Sequence, residues 1–112
     1  MSELRRAQRF VVEVAAEVYT TQGVLQARTR NLSATGVSFD LDREIAEGQT
    51  VGVSLFLTAD GIEDPDQDPL NARGEIMWVT ERDEGGFTAG ARFSALGAEQ
   101  STQLEGFLKQ LE

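Results

Sequence analysis

Six segments of the chain alternate between apolar and polar positions. In residues 10–20, Phe10, Val12, Val14, Ala16 and Val18 fall on one side and Glu13, Glu17 and Tyr19 on the other. Period two with β-branched residues predicts a half-buried strand. A turn at Thr21-Gln22-Gly23 leads to a second strand over 24–30. Gln26, Arg28 and Arg30 share one of its faces; Leu25, Ala27 and Thr29 share the other. Asn31 to Gly36 breaks the pattern as a turn. Val37, Phe39 and Leu41 then resume it, with Ser38, Asp40 and Asp42 facing out. After a turn at Glu47-Gly48, the next inward row is Val51, Val53, Leu55 and Leu57. Residues 72–80, around Ile76, Met77, Trp78 and Val79, predict a fifth strand. Glu84-Gly85-Gly86 turns the chain into a sixth, with Phe87, Ala89, Ala91 and Phe93 in its row.

Between the fourth and fifth strands, residues 58–71 are acidic and hold both prolines, Pro65 and Pro69. Proline removes a ladder donor, so this stretch predicts a loop. The tail changes period: Leu104, Phe107, Leu108 and Leu111 recur at helical spacing, which predicts an amphipathic helix over about 98–111. Six short strands and one closing helix make the fold class mostly β, a six-stranded antiparallel barrel with a C-terminal α-helix. Residues 1–9 are expected to be a flexible arginine-bearing segment, and 10–112 the single domain. No internal repeat, linker or low-complexity stretch interrupts it.

Composition narrows the chemistry. The 112 residues contain no cysteine and no histidine. Disulfides and thiolate metal sites are excluded, and the commonest general base is missing. The expectation is a non-enzyme with no metal site and no cofactor. No apolar run approaches the ~20 residues of a membrane span, and Met1 to Arg9 has no signal-peptide character. The expected compartment is the cytoplasm, without membrane insertion. Net charge is −9, which argues against DNA or RNA as a partner. The charge is uneven, however. Residues 1–31 hold five arginines against three glutamates, whereas the other 81 residues carry five basic and 16 acidic groups. A small basic island on an acidic body suits a compact anion.

Two pieces of sequence carry chemistry. One is Arg5-Arg6-Ala7-Gln8-Arg9, an R-x-x-x-R spacing before the first strand. The other is Asn31-Leu32-Ser33-Ala34-Thr35-Gly36, an N-x-S-x-x-G turn. In this order, on this strand background, they resemble the PilZ family. Gly90-Ala91-Arg92-Phe93 resembles its G-x-R-F segment, and Glu75-Ile76-Met77-Trp78-Val79 its penultimate strand. The resemblance covers residues 4–111.

It implies cyclic di-GMP as ligand, held by Arg5, Arg9, Asn31, Ser33 and Gly36, with Leu4, Arg6 and Arg30 as additional candidates. Arginine forks onto phosphate or onto guanine O6 and N7. Asn31 offers a carbonyl and an amide, and Ser33 a hydroxyl. Gly36 can take positive φ and lets the backbone approach the ligand. Thr35, where the family often has a second glycine, is placed to crowd the site. Leu4, just before the arginine motif, points to one bound ligand.

The expected function is a cyclic di-GMP receptor acting in trans on an unidentified effector protein, as a monomer or weak dimer. The ligand would order the N-terminal arginine segment onto the turn. The resemblance suggests motility, pilus, exopolysaccharide or virulence machinery as targets. The alternative is a PilZ-like adaptor that binds protein and no nucleotide.

Other features are read as structural. Asp64, Asp66 and Asp68 imitate the start of a calcium loop, but Pro69 replaces the glycine that loop needs. Glu81, Asp83 and Glu84 form an exposed turn. Trp78, Phe87 and Phe93 are expected to fill the barrel, and the helix stripe to pack on it.

Overall fold

The computed structural model describes residues 8–57 and 69–111. Its elements are β1 (Phe10–Val11), β2 (Ala15–Thr20), β3 (Gly23–Leu32), β4 (Gly36–Leu41), β5 (Thr50–Leu55), β6 (Leu70–Glu81), β7 (Phe87–Ala95) and α1 (Ala98–Gln110). Strand neighbours run β3-β2-β5-β6-β7-β4, and β4 pairs again with β3, so six antiparallel strands close into a barrel. Closure leaves no open edge in that ring.

The expected first strand is divided. β1 pairs with the end of β3, β2 pairs with its start, and residues 12–14 bulge between them. Thr29 closes the break: its hydroxyl accepts from the Val14 N–H at 2.9 Å and donates to the Val12 carbonyl. An unbridged break would leave buried backbone groups unpaired, which is costly.

The inward rows meet in one core. Val12, Val14, Ala16 and Val18, then Val37, Phe39 and Leu41, then Val51, Val53, Leu55 and Leu57 are all buried. Each Val, Leu or Phe buried in this way contributes roughly 1.5–3 kcal/mol. The helix lays Leu104, Phe107 and Leu108 against the same core. Its start is fixed by Gln100, whose Oε1 accepts from the Gly97 N–H at 2.6 Å and whose amide donates to the Asn71 carbonyl on β6.

Of three register slips in the barrel wall, two turn side chains near the motifs outward. Between Thr29 and Asn31 the β3–β4 register slips, with Arg30 as the extra residue. Thr29 and Leu32 therefore both point inward, while Asn31 points out. Between Ile76 and Trp78 the β6–β7 register slips again, with Met77 as the extra residue. Ile76 is buried, and Trp78, two residues on, is turned outward and 41% exposed. The expectation that Trp78 fills the barrel is thus corrected. A bulge puts two residues opposite one and reverses the alternation beyond it.

Candidate functional site

The pairing of β1 with β3 sets Val11 opposite Asn31 and Phe10 opposite Leu32. That register brings Arg9 beside Asn31. Arg9 Nη1 donates to Asn31 Oδ1 at 2.6 Å, joining the two motifs across 22 residues of sequence. Arg9 is exposed, and its partner here is a neutral amide. Arg5, Arg6 and Leu4 lie outside the described residues.

The turn itself is tighter than the sequence pattern implies. Asn31 and Leu32 belong to β3 and Gly36 to β4, leaving only residues 33–35 as turn. Ser33 is buried and looks inward to that turn. Its backbone N–H donates to the Gly36 carbonyl at 2.9 Å, and its Oγ accepts from the N–H groups of Thr35 and Gly36, both at 3.2 Å. Thr35 is exposed, and its carbonyl accepts from the Phe93 N–H at 2.9 Å, which pins the turn to β7.

Gly36 does not use the positive φ open to a glycine. It is required for another reason: a Cβ there would stand 2.4 Å from the Ala91 carbonyl oxygen. The glycine lets β4 and β7 come together.

From Asn31 a single ladder row crosses the outer face of the barrel. Val11 opposes Asn31, Asn31 opposes Ser38, Ser38 opposes Gly90, and Gly90 opposes Trp78. Val11 at one end is 88% exposed and Trp78 closes the other. The Trp78 indole is seated on Gly90, where a Cβ would meet its Nε1 at 2.2 Å. The floor between the ends carries only small side chains, so the row is a ledge with a polar end at Asn31 and an aromatic end at Trp78. Ser38 is on the outer face, as expected, and is buried there.

The neighbouring row is already neutralised. Asp40 Oδ2 lies 3.3 Å from Arg30 Nη1 and 3.8 Å from Arg82 Nη1, and Asp40 Oδ1 accepts from the Thr88 hydroxyl at 2.7 Å. Arg30 is therefore tied to Asp40. Arg82 also holds Glu84 at 2.9 Å, and that hydrogen bond keeps the Glu84 carboxyl below its ordinary pKa.

The described residues border several hollows, three of which bear on the position of the site. A small one of about 280 Å³ runs along Val11, Arg28, Arg30, Asn31 and Asp40, beside the motif residues. Another, of about 540 Å³, opens between Gln8, Phe10, Ala34 and the helix residues Glu105, Leu108 and Lys109. The largest, about 800 Å³, sits between the β2–β3 hairpin and residues 43–50 and contains neither motif. Volume alone does not make it the site; the converging polar groups are elsewhere. Among the described residues no cluster of three or more Asp and Glu is arranged to hold a metal ion, and no helix is long and apolar enough to cross a membrane.

Compared with known protein families, residues 3–110 match the one described as the PilZ domain. Among curated proteins none matches the sequence. Solved structures share the fold. The PilZ domain of YcgR with c-di-GMP, from Escherichia coli, superposes with a TM-score of 0.75 at 15% identity, covering 96% of this chain and 90% of that one. YcgR in complex with c-di-GMP, also from Escherichia coli, gives 0.75 at 17% identity, covering 96% of this chain and 45% of that one. The Bacillus subtilis inhibitor of motility MotI/DgrA gives 0.74 at 11%, covering 95% of this chain and 50% of that one. The chain thus spans about half the length of YcgR and MotI.

Proposed function

The chain belongs to the PilZ domain family, and from that premise we infer that it is a cyclic di-GMP receptor acting in trans on a protein partner. The observation that carries this reading is the 2.6 Å hydrogen bond from Arg9 to Asn31, which brings the two motifs to one point on the barrel face. A guanidinium resting on a neutral amide keeps its full positive charge for an anion. A ligand phosphate, or guanine O6 and N7, replaces the amide as the acceptor and forms a charge-assisted pair. Asn31, once released, turns its amide and carbonyl to the guanine edge. Arg5, one R-x-x-x-R spacing earlier, supplies the second guanidinium as the leader is drawn over the turn. Ser33 and Gly36 shape the turn and hold it against β7. Trp78 gives a base an aromatic face at the far end of the ledge; stacking of this kind is worth about 1–3 kcal/mol per base. The neighbours solved with c-di-GMP support the choice of ligand.

A nucleotide-independent adaptor is the second reading. It is favoured by the Ser33 hydroxyl, whose hydrogen bonds among the described residues stay within its own turn. Calorimetric titration with cyclic di-GMP, paired with thermal melting, separates the two. The receptor binds and its melting temperature rises with ligand, because a ligand specific for the native form stabilises it. Arg9→Ala weakens both effects. Absence of heat and of a melting shift in the unaltered protein leaves the adaptor reading standing.

A further inference from the structure

Four polar side chains are buried among the described residues: Thr29, Ser33, Ser38 and Ser54. Three of them are satisfied. Thr29 bridges the break between β1 and β2, Ser33 is bonded within its turn, and Ser54 donates to Asn71 Oδ1 across β5 and β6. Ser38 is the exception. It is 4% exposed, and its Oγ is the one buried side-chain polar atom among the described residues with no hydrogen-bond partner.

Its place on the barrel gives that exception meaning. Val37 and Phe39 on either side are core residues, so Ser38 points to the outer face. There it lies midway along the ledge, with Asn31 opposite on β3 and Gly90 opposite on β7. Gly90 has no side chain to offer it, and the Trp78 indole sits over Gly90. Alanine would fill this strand position without burying an unpaired hydroxyl, a cost that folded proteins ordinarily avoid. A hydroxyl is both donor and acceptor and can rotate to suit whichever group arrives.

We propose that Ser38 is a further ligand-binding residue, whose hydroxyl is completed by a hydrogen bond to the edge of a purine lying between Asn31 and Trp78. This rests on the receptor reading above and extends the site beyond both sequence motifs. A base stacked on the open face of Trp78, whose other face covers Gly90, reaches along the row with its edge toward Ser38 and Asn31. Asn31 and Trp78 are the row neighbours whose side chains move to uncover the hydroxyl, Asn31 when Arg9 leaves it for a phosphate.

The test compares Ser38→Ala with Ser54→Ala, reading the melting temperature without ligand and the Kd for cyclic di-GMP by calorimetry. Ser38→Ala keeps or raises the melting temperature, because it removes an unpaired hydroxyl, and weakens binding about tenfold, equivalent to about 1.4 kcal/mol. Ser54→Ala gives the opposite pattern: a lower melting temperature and an unchanged Kd. If Ser38→Ala binds within twofold of the unaltered protein, or loses stability as Ser54→Ala does, Ser38 is structural and the proposal falls. If the unaltered protein itself does not bind cyclic di-GMP, the receptor reading falls and takes the proposal with it.

Discussion

Two arginines on the same barrel face, Arg30 and Arg9, meet opposite fates. Arg30 is held by Asp40, a carboxylate that Arg82 and Thr88 also engage. Its charge is spent inside the protein, and the Asp40 row ties β3, β4, β7 and the β6–β7 hairpin together. Arg9 rests on Asn31, which carries no charge to cancel. The same kind of side chain thus makes a structural knot in one place and a candidate anion site in the neighbouring row of the wall. What differs is the partner. Among the described residues of a chain with net charge −9, Arg9 is bonded to an amide and Arg30 to a carboxylate.

The sharpest way to break this contrast is to truncate each arginine. Arg9→Ala removes a charge-assisted hydrogen bond to the ligand, worth roughly 1.5–3 kcal/mol. The expected loss is on the order of 10- to 100-fold in affinity for cyclic di-GMP, while Arg30→Ala stays within about threefold. Calorimetry on both variants decides it. Equal losses would mean that Arg30 leaves Asp40 on binding and that the two sites are one.

Next in size is Gly36→Ala. The added methyl has nowhere to go, because the atom it meets is the backbone oxygen of Ala91. Overpacking of this kind costs about 1–3 kcal/mol. The melting temperature should drop, and the ligand-binding side should suffer with it, since Gly36 ends the turn that follows Asn31. The Asp40 knot, farther along β4, should keep its ion pairs. A variant that melts like the unaltered protein would show that β4 and β7 can separate at no cost.

Asp40→Asn works from the other side and has a smaller effect. Asp40 is only partly exposed, but its arginine partners are more open to water, and such pairs contribute about 1 kcal/mol or less. A small loss of stability is expected, measured by denaturant unfolding. Ligand affinity should hold or improve slightly, because Arg30 is freed beside the Arg9 site and adds positive charge there. A marked loss of affinity would show that the knot positions the site.

Much of this architecture is legible in the alternation of residues. The inward rows Val51 to Leu57 and Val37 to Leu41 read directly as core, and the 104–111 spacing reads as a helix packed on it. The meeting of Arg9 with Asn31 is legible only through the resemblance to a family, because it depends on β1 pairing with β3 across 22 residues. What the pattern hides comes from bulges. An extra residue at Arg30 or Met77 has no composition signal of its own, yet it turns Asn31 and Trp78 outward. Simple period-two reading places Trp78 with Ile76 in the core, and it is the slip at Met77 that separates them. Ser38 is legible only in part. Its face is right, but burial on an outer face depends on what neighbouring strands lay over it, and a single strand's sequence does not contain that. Gly36 shows the same limit: the glycine is visible, and the carbonyl it makes room for is 55 residues away on β7.

The smallest effect probes the knot without perturbing the fold. Arg82 donates to Glu84 at 2.9 Å, and this bond, with a backbone hydrogen bond at Glu84 and added attraction from the charges of Arg82 and Arg30, holds the Glu84 carboxyl below its ordinary pKa. A lowered folded-state pKa favours folding above the unfolded value and loses that contribution as pH falls through the folded value. Glu84 is fully exposed, so the consequence to look for is a titration midpoint and not a change in stability. Carboxyl chemical shifts followed by NMR should place Glu84 below the ordinary glutamate range, and Arg82→Ala should bring it back. Asp40→Asn should lower it further, because Arg82 and Arg30 lose the carboxylate that competes for them. Arg9→Ala should leave it unmoved. A Glu84 midpoint that answers to Arg9 would join the two arginine sites electrically and end the distinction between a spent charge and a free one.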